Sequence, residues 1–332
     1  MDDSTRNEMI RAFTDRISQA KKPLIASHVS PDGDAVGSVL GLAHFLKLAY
    51  GIDAHCALSD PVPRLYQWLP DVEKITPPEA VPTDVDLYIV ADTHQVERTG
   101  RVAEFVANDV PVIVIDHHIV TGDVPPHSYI DSTAAAVGEM VGELFAYTQT
   151  PLTPEAATAC YVALSTDTGC FRYPSTSTRS HRIASTLIEG GANVGEVTER
   201  VFDQMSPAKF ALLGRVLERV EMLAGGRAAV TRLTLADLAE CDAAHEDTDG
   251  LINFLRNVDG VDVAVFCREA EPNVTKVSFR ARPGIDASAL ARHFGGGGHA
   301  AAAGVTINQP LAQACEAVLA HVSGPFLEQK VS

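Results

Sequence analysis

Three short apolar runs, residues 23–27, 86–91 and 110–115, limit the folding choices of this chain more than any other feature. None alternates apolar with polar residues, so each suits a strand covered on both faces, as in a parallel sheet. Parallel neighbours cannot be joined by a tight hairpin and need a long crossover, usually a helix. Helical patterns fill the intervals: the spacing predicts helices over 35–50, 133–148, 154–166 and 178–190, with a further strand over 54–58. The expected fold is α/β, doubly wound around a largely parallel sheet.

Past residue 195 the pattern changes. Residues 196–222 read as a connecting helix of mixed charge, which Ala224-Gly225-Gly226-Arg227 breaks. Strands are then expected over 227–233, 261–268 and 276–282, and a helix over 286–294. A glycine run, Gly295 to Gly298, leads into His299 and the small residues Ala300 to Gly304. The expected organisation is a domain over 1–195, the connecting helix over 196–222, and a smaller α/β domain over 223–332. That division agrees with roughly 150 residues per domain.

Composition excludes several classes of function. No apolar run reaches the ~18–20 residues that span a bilayer, so no membrane partner is expected. The opening residues Met1 to Arg6 are polar, and no secretory signal is expected from them. Six cysteines without a Cys-x-x-Cys pair predict reduced thiols in a cytoplasm and no thiolate zinc site. A net charge of −17 disfavours binding of long duplex nucleic acid, which depends on Lys and Arg neutralising phosphate.

The chemistry is carried by polar clusters at the ends of the expected elements. His28-Val29-Ser30-Pro31-Asp32-Gly33-Asp34 follows the first run, Asp92 closes the next with Arg98 six residues on, Asp116-His117-His118 closes the third, and Asp167-Thr168-Gly169 ends the helix from 154. In an open parallel sheet the carboxyl ends of the strands share one edge, and ligands bind there. A single Asp in such a place is usually a cap or turn former, and Asp32-Gly33 alone reads as a turn. Capping does not account for six such residues on one edge. His28, Asp32, Asp34, Asp92, His117 and Asp167 supply two imidazoles and four carboxylates. Four packed carboxylates are driven to protonate unless cations cancel their charge. Mixed nitrogen and oxygen donors suit Mn²⁺ best, with Mg²⁺ and Co²⁺ as alternatives. Two such cations sharing Asp92 would activate water for attack on phosphorus.

These motifs resemble the DHH phosphoesterase superfamily. Asp116-His117-His118 carries its signature, and His28-x-x-x-Asp32-x-Asp34, Asp92 with Arg98, and Asp167 match its other motifs. Thr168-Gly169-Cys170-Phe171-Arg172-Tyr173, and the run from Ser278-Phe279-Arg280 to Gly295–His299, resemble one group within it. That group has nano-RNase and 3′-phosphoadenosine 5′-phosphate (pAp) phosphatase activity and a DHH-associated second domain. The resemblance spans almost the whole chain.

It implies that His28, Asp32, Asp34, Asp92, His117 and Asp167 hold two manganese ions, with His118 facing the scissile phosphate and Asp116 orienting the histidines. Arg280, Arg282 and His299 would bind the far phosphate or nucleotide of the substrate. Arg98 and Arg172 would contact phosphate in the first domain, or else form structural ion pairs. The backbone of Gly296, Gly297 and Gly298 is expected to cradle an anion, helped by a helix starting in the alanine-rich stretch, although a bare glycine run also serves as a flexible turn. Two residues depart from the family pattern: Thr99 before Gly100, where an aliphatic residue is commoner, and Cys170 beside the site.

The expected protein is a cytoplasmic, metal-dependent phosphohydrolase in which a metal-activated hydroxide attacks phosphorus. Its substrates would be short oligoribonucleotides and linear dinucleotides, cut to mononucleotides, and pAp, dephosphorylated to AMP. The resemblance also makes a homodimer plausible. An inorganic pyrophosphatase or polyphosphatase of the same superfamily shares the ligands, but carries a different second domain. A cyclic-dinucleotide phosphodiesterase could use the same centre, whereas a non-catalytic nucleotide receptor would not need all six ligands. Trp68 and His44 read as packing, and Asp131 as a cap on the helix at 133–148.

Overall fold

The continuous apolar runs form the central strands of an all-parallel sheet. In the computed structural model, which describes residues 2–120 and 122–322, the chain packs as two units that divide between Gln204 and Met205. Unit 1 runs α1 (Asp3–Ile17), β1 (Pro23–Ala26), α2 (Gly33–Tyr50), β2 (His55–Ala57), β3 (Ile75–Thr76), β4 (Leu87–Ala91), β5 (Val112–Asp116), β6 (Tyr129–Ile130), α3 (Val137–Thr148), α4 (Pro154–Asp167), α5 (Thr178–Glu189) and α6 (Val194–Thr198). Its six strands pair in parallel in the order β3-β2-β1-β4-β5-β6. The order reverses between β1 and β4. The crevice outside the strand ends at such a switch is where open α/β sheets bind ligands.

Side chains leave a strand on alternate faces, and here both faces are dry. Ile25, Ile89, Ile113 and Ile115 enter a core shared with the helices, while Leu24, Ala26, Tyr88, Val90 and Val114 enter a second core. This is why the runs are continuous. The second core is covered by the 3₁₀ segment Val96–Phe105 and by Val81 and Val85 rather than by α-helices. It also accounts for Thr99. The buried Tyr88 hydroxyl donates to Thr99 Oγ1 at 2.7 Å, and Thr99 passes its own proton to the Val96 carbonyl at 2.7 Å. An aliphatic residue there would leave the tyrosine hydroxyl without a partner.

The helices that carry the site touch backbone to backbone. A Cβ added at Gly37 on α2 would lie 2.4 Å from the Ala159 carbonyl oxygen on α4, and one at Gly138 on α3 would lie 2.4 Å from Ala163 Cβ. Helix α1 has no counterpart among the expected elements. Asp2 caps it by accepting the Thr5 N–H at 2.8 Å, and Ile10, Phe13 and Ile17 bury one stripe. Helix α3 begins at Val137, four residues later than expected, and Asp131 is not its cap. Asp131 instead accepts from the Thr133 N–H (2.9 Å) and hydroxyl (2.6 Å) and pairs with the guanidinium groups of Arg6 and Arg179.

Unit 2 runs α7 (Pro207–Glu218), β7 (Glu221–Leu223), β8 (Ala228–Leu233), α8 (Leu235–Glu240), α9 (Ile252–Arg256), β9 (Val263–Glu271), β10 (Val274–Ala281), α10 (Ala287–His293), β11 (Gly297–Gly298), β12 (Ala302–Ile307) and α11 (Leu311–Val322). Its sheet is mixed, in the order β11-β12-β10-β9-β8-β7, with β8 and β9 parallel and the other neighbours antiparallel. Two expectations are corrected here. Residues 196–222 are not one connecting helix: a wide turn over Glu199–Asp203 follows α6, and Ser206, accepting the Lys209 N–H at 3.0 Å, starts α7 with Pro207 in its first turn. The alanine-rich stretch after the glycine run starts no helix. It forms β12, joined to β11 by a tight turn in which His299 and Ala302 exchange backbone hydrogen bonds at 2.8 and 3.1 Å.

A Gly37→Val substitution should lower stability by about 2–3 kcal/mol, because the added volume must separate two packed helix backbones. Gly214 on α7 faces open space, and Gly214→Ala should raise stability by roughly 0.5–1 kcal/mol. Urea unfolding of both variants checks the contrast, and a Gly37→Val protein as stable as the parent would contradict the close packing.

Candidate metal centre

Strands β1, β4 and β5 end side by side at the switch point, and each delivers a polar group. His28, just past β1, donates its Nδ1–H to the Val29 carbonyl at 2.9 Å. That bond turns Nε2 toward Asp92 Oδ2 (3.2 Å) and Asp32 Oδ1 (4.0 Å) and leaves it the ligand nitrogen of the neutral ring. Asp92 follows β4, buried, with φ of +60°. A left-handed backbone at a non-glycine residue is costly and marks functional sites. Asp116 ends β5. Next to it, His117 Nε2 lies 3.2 Å from Asp167 Oδ2, 3.4 Å from Asp92 Oδ1 and 3.7 Å from Asp34 Oδ2.

Helix ends supply the remaining carboxylates. Asp32 caps α2, accepting the Ala35 N–H at 3.0 Å, and Asp167 is the last residue of α4. Asp34 is fully buried and reaches α3, whose own cap position, Ala136, offers no side-chain acceptor. Asp34 caps α3 in its place, accepting the N–H groups of Val137 (2.7 Å) and Gly138 (2.9 Å) along with the Ser38 hydroxyl (2.8 Å).

The donor atoms form three groups, each within 4.8 Å: His28, Asp32 and Asp92; Asp34, His117 and Asp167; Asp92, His117 and His118. Asp92 and His117 each belong to two of them. Asp92 Oδ1 and His117 Nε2 are buried, and neither makes a hydrogen bond of good geometry. Hard carboxylate oxygens and imidazole nitrogens, two of them orphaned within one buried space, fit divalent cations. His118 differs from its neighbour: Asp116 Oδ1 accepts both its Nδ1–H (2.8 Å) and its backbone N–H (3.1 Å). Two participants escaped the sequence reading. Ser38 sits one turn beyond Asp34, and His94, two residues after Asp92, places Nδ1 3.1 Å from Asp116 Oδ2. The spacing Asp92-x-His94 was the available signal.

Protonation follows from the crowding. Burial raises the Asp34 carboxyl well above the ordinary range, and the charges of Asp92 and Asp167 push it the same way. Burial alone would lower His28 and His117, but the surrounding carboxylates outweigh it and raise them to about 9 and about 12. Asp92 is buried too, yet the His117 and His28 imidazoles hold it down to about 2. In the metal-free centre the two histidines therefore supply the positive charge that cations would otherwise supply.

The expected phosphate contacts are placed as follows. Arg98 and Arg172 are exposed in unit 1, and neither makes an ion pair among the described residues. The Arg98 carbonyl accepts the Val29 N–H at 2.7 Å, tying its turn to the His28 loop, and Arg172 Nε donates to the Gly169 carbonyl at 2.6 Å. In unit 2, Arg280 stands on β10 opposite Ala302, beside the hairpin that carries Gly297, Gly298 and His299. A Cβ on Gly296 would lie 2.3 Å from the Gly304 carbonyl oxygen, so this glycine is needed for the close approach of two chain segments. Arg282 is exposed, and its guanidinium donates to the carbonyls of Val261 (2.8 Å), Arg256 (3.3 Å) and Val258 (3.4 Å), around the end of α9.

A carboxylate–imidazole cluster at the switch point of a parallel sheet, in a chain with a second, mixed-sheet unit, offers donors suited to divalent cations of the kind that assist phosphoryl transfer. Residues 22–164 match the DHH family, N-terminal domain, and residues 224–324 match the DHHA1 domain. The chain is 36% identical over 316 residues to the bifunctional oligoribonuclease and PAP phosphatase NrnA of Thermus thermophilus, covering 94% of this chain and 93% of that protein. It is 28% identical to the protein of the same name from Bacillus subtilis, over 91% of this chain and 93% of that one. An exopolyphosphatase-related protein from Bacteroides fragilis has a similar structure, with a TM-score of 0.89 and 26% identity over 97% of this chain and 98% of its own. The chain belongs to the DHH/DHHA1 phosphoesterase family.

The protonation pattern gives a test with opposite signs. His28 and His117 have folded-state values above the unfolded value of about 6.5, so the stability they contribute is complete below it and is lost as pH rises, through about 9 for His28 and about 12 for His117. Metal binding must expel those protons and so strengthens over the same interval. Between pH 6.5 and 8.5 the Tm of metal-free protein should fall, while the rise in Tm on adding Mn²⁺ should grow. Differential scanning calorimetry with and without chelator measures both. An increment that shrinks as pH rises would contradict the ligand set.

Proposed function

We propose that this protein is an NrnA-like hydrolase that cuts short oligoribonucleotides and linear dinucleotides to mononucleotides and converts pAp to AMP. The observation that carries this reading is the 36% identity, over 94% of the chain, to a relative named for those two activities. The gathering of His28, Asp32, Asp34, Asp92, His117 and Asp167 into overlapping clusters of donor atoms supports it. Six free cysteines suit a reducing cytoplasm, and no helix among the described residues is long and apolar enough to cross a membrane.

His28, Asp32, Asp34, Asp92, His117 and Asp167 would hold two divalent cations, Mn²⁺ favoured by the donors, with Asp92 shared. When bound, such cations supply a nucleophilic water at neutral pH and neutralise charge on the phosphoryl oxygens. The protein's own groups do the rest. Asp116 holds His118 by Nδ1, which directs the opposite edge of the ring to a phosphoryl oxygen. The exposed Arg98 and Arg172 add positive charge around the phosphate. In unit 2, Arg280, His299 and the backbone of Gly296, Gly297 and Gly298 would hold the remote phosphate or nucleotide. The net charge of −17 favours such small ligands over long strands.

Metal-stripped protein should be incubated with pApA, pAp, cyclic di-AMP and pyrophosphate, each with and without Mn²⁺, and the products separated by chromatography. AMP should form from pApA and from pAp only when metal is added. Turnover of pyrophosphate alone, or of cyclic di-AMP alone, would replace this reading with the corresponding rival. Asp92→Ala should lower hydrolysis by more than about 100-fold, beyond the usual effect of altering a ligand's supporting partner, while the fold persists by circular dichroism.

A further inference from the structure

We infer that His94 is a positioning residue for the phosphoester reaction proposed above, on which this inference rests, and that it acts through Asp116 on His118. Two imidazoles share the Asp116 carboxylate, one at each oxygen: His118 Nδ1 lies 2.8 Å from Oδ1, and His94 Nδ1 lies 3.1 Å from Oδ2. Oδ1 also accepts the His118 backbone N–H at 3.1 Å, but the terminal torsion of an aspartate is soft, so a carboxylate held at that one oxygen can still swing. Held at both, it presents Oδ1 in one direction. Asp116 is completely buried, and no solvent stands by to replace a lost donor. The Nδ1 bond in turn sets the tautomer and direction of the His118 ring.

The backbone is shaped to make this contact. Asp92, at φ +60°, ends the extended run of β4, and within two residues the chain has brought His94 against the last residue of β5. The His94 side chain is only 14% exposed, and its Nε2 is buried without a hydrogen-bond partner. That nitrogen is closed off from any substrate. What the ring offers the site is its Nδ1–H, given to Asp116.

The test compares wild type with His94→Leu, His94→Asn and His94→Gln, loaded with Mn²⁺, measuring kcat and KM on pApA and Mn²⁺ affinity by calorimetry. Asparagine places an amide N–H where Nδ1 stood, whereas glutamine places it nearer the position of Nε2. His94→Leu should lower kcat by roughly 10–100-fold, the usual effect of losing a partner that orients a functional histidine. KM and Mn²⁺ affinity should stay within about threefold, His94→Asn should recover kcat to within about threefold of wild type, and His94→Gln should not. A leucine variant with wild-type kcat overturns the inference. So does rescue by glutamine but not asparagine, or Mn²⁺ affinity that falls in step with kcat. Should the leucine variant not fold, the asparagine–glutamine pair decides. A wild type that turns over no nucleotide phosphoester removes the proposed function and this inference together, whereas an active wild type with unaffected variants removes this inference alone.

Discussion

Repulsion among Asp32, Asp34, Asp92 and Asp167 is the constraint around which unit 1 is arranged. Two like charges about 4 Å apart repel by ~4 kcal/mol even at an effective dielectric near 20, and a whole domain is stable by only about 5–15 kcal/mol. The fold answers this repulsion locally. The two N–H groups at the start of α3 and the Ser38 hydroxyl point at Asp34, and His28 and His117 stand against Asp92. The arrangement is costly without cations and tolerable with them, which suits a centre built to hold metal rather than to stand empty.

That arrangement depends on how closely the helices approach. Glycine on α2 and α3 lets both helices meet α4 at backbone distance, and the ends of the same helices bear Asp32, Asp34 and Asp167. Packing and chemistry are thereby joined: the start of α3 is capped by a carboxylate from α2 that also belongs to the metal centre. The ion pairs of Asp131 with Arg6 and Arg179 anchor the segment leading into α3 from the other side.

Much of this was legible in the chain because it follows from local rules. Continuous apolar runs announced a buried parallel sheet, and the polar clusters after them announced one ligand-binding edge. Helix α1 was equally legible, through Asp2 as its cap and the stripe Ile10, Phe13 and Ile17, but it precedes the first strand and no crossover called for it. The edge strands β3 and β6 are two residues long, too short for periodicity to register. The small residues after Gly298 looked helical by composition, yet they form a strand because β10 offers an edge to pair with, and composition does not carry pairing partners.

By itself the sequence determined the central strands of the parallel sheet, the helices between them, the residue types at their ends and hence the class of chemistry, because backbone periodicity and donor chemistry are properties of the residues themselves. Only the tertiary structure decided which groups share a partner. Asp131 serves Arg6 and Arg179 rather than a helix end, Arg282 serves carbonyls around the end of α9, and His94 serves Asp116. Each pairing joins positions 21 to 125 residues apart, and which of several donors reaches an acceptor is settled by packing distance, to which spacing along the chain is blind.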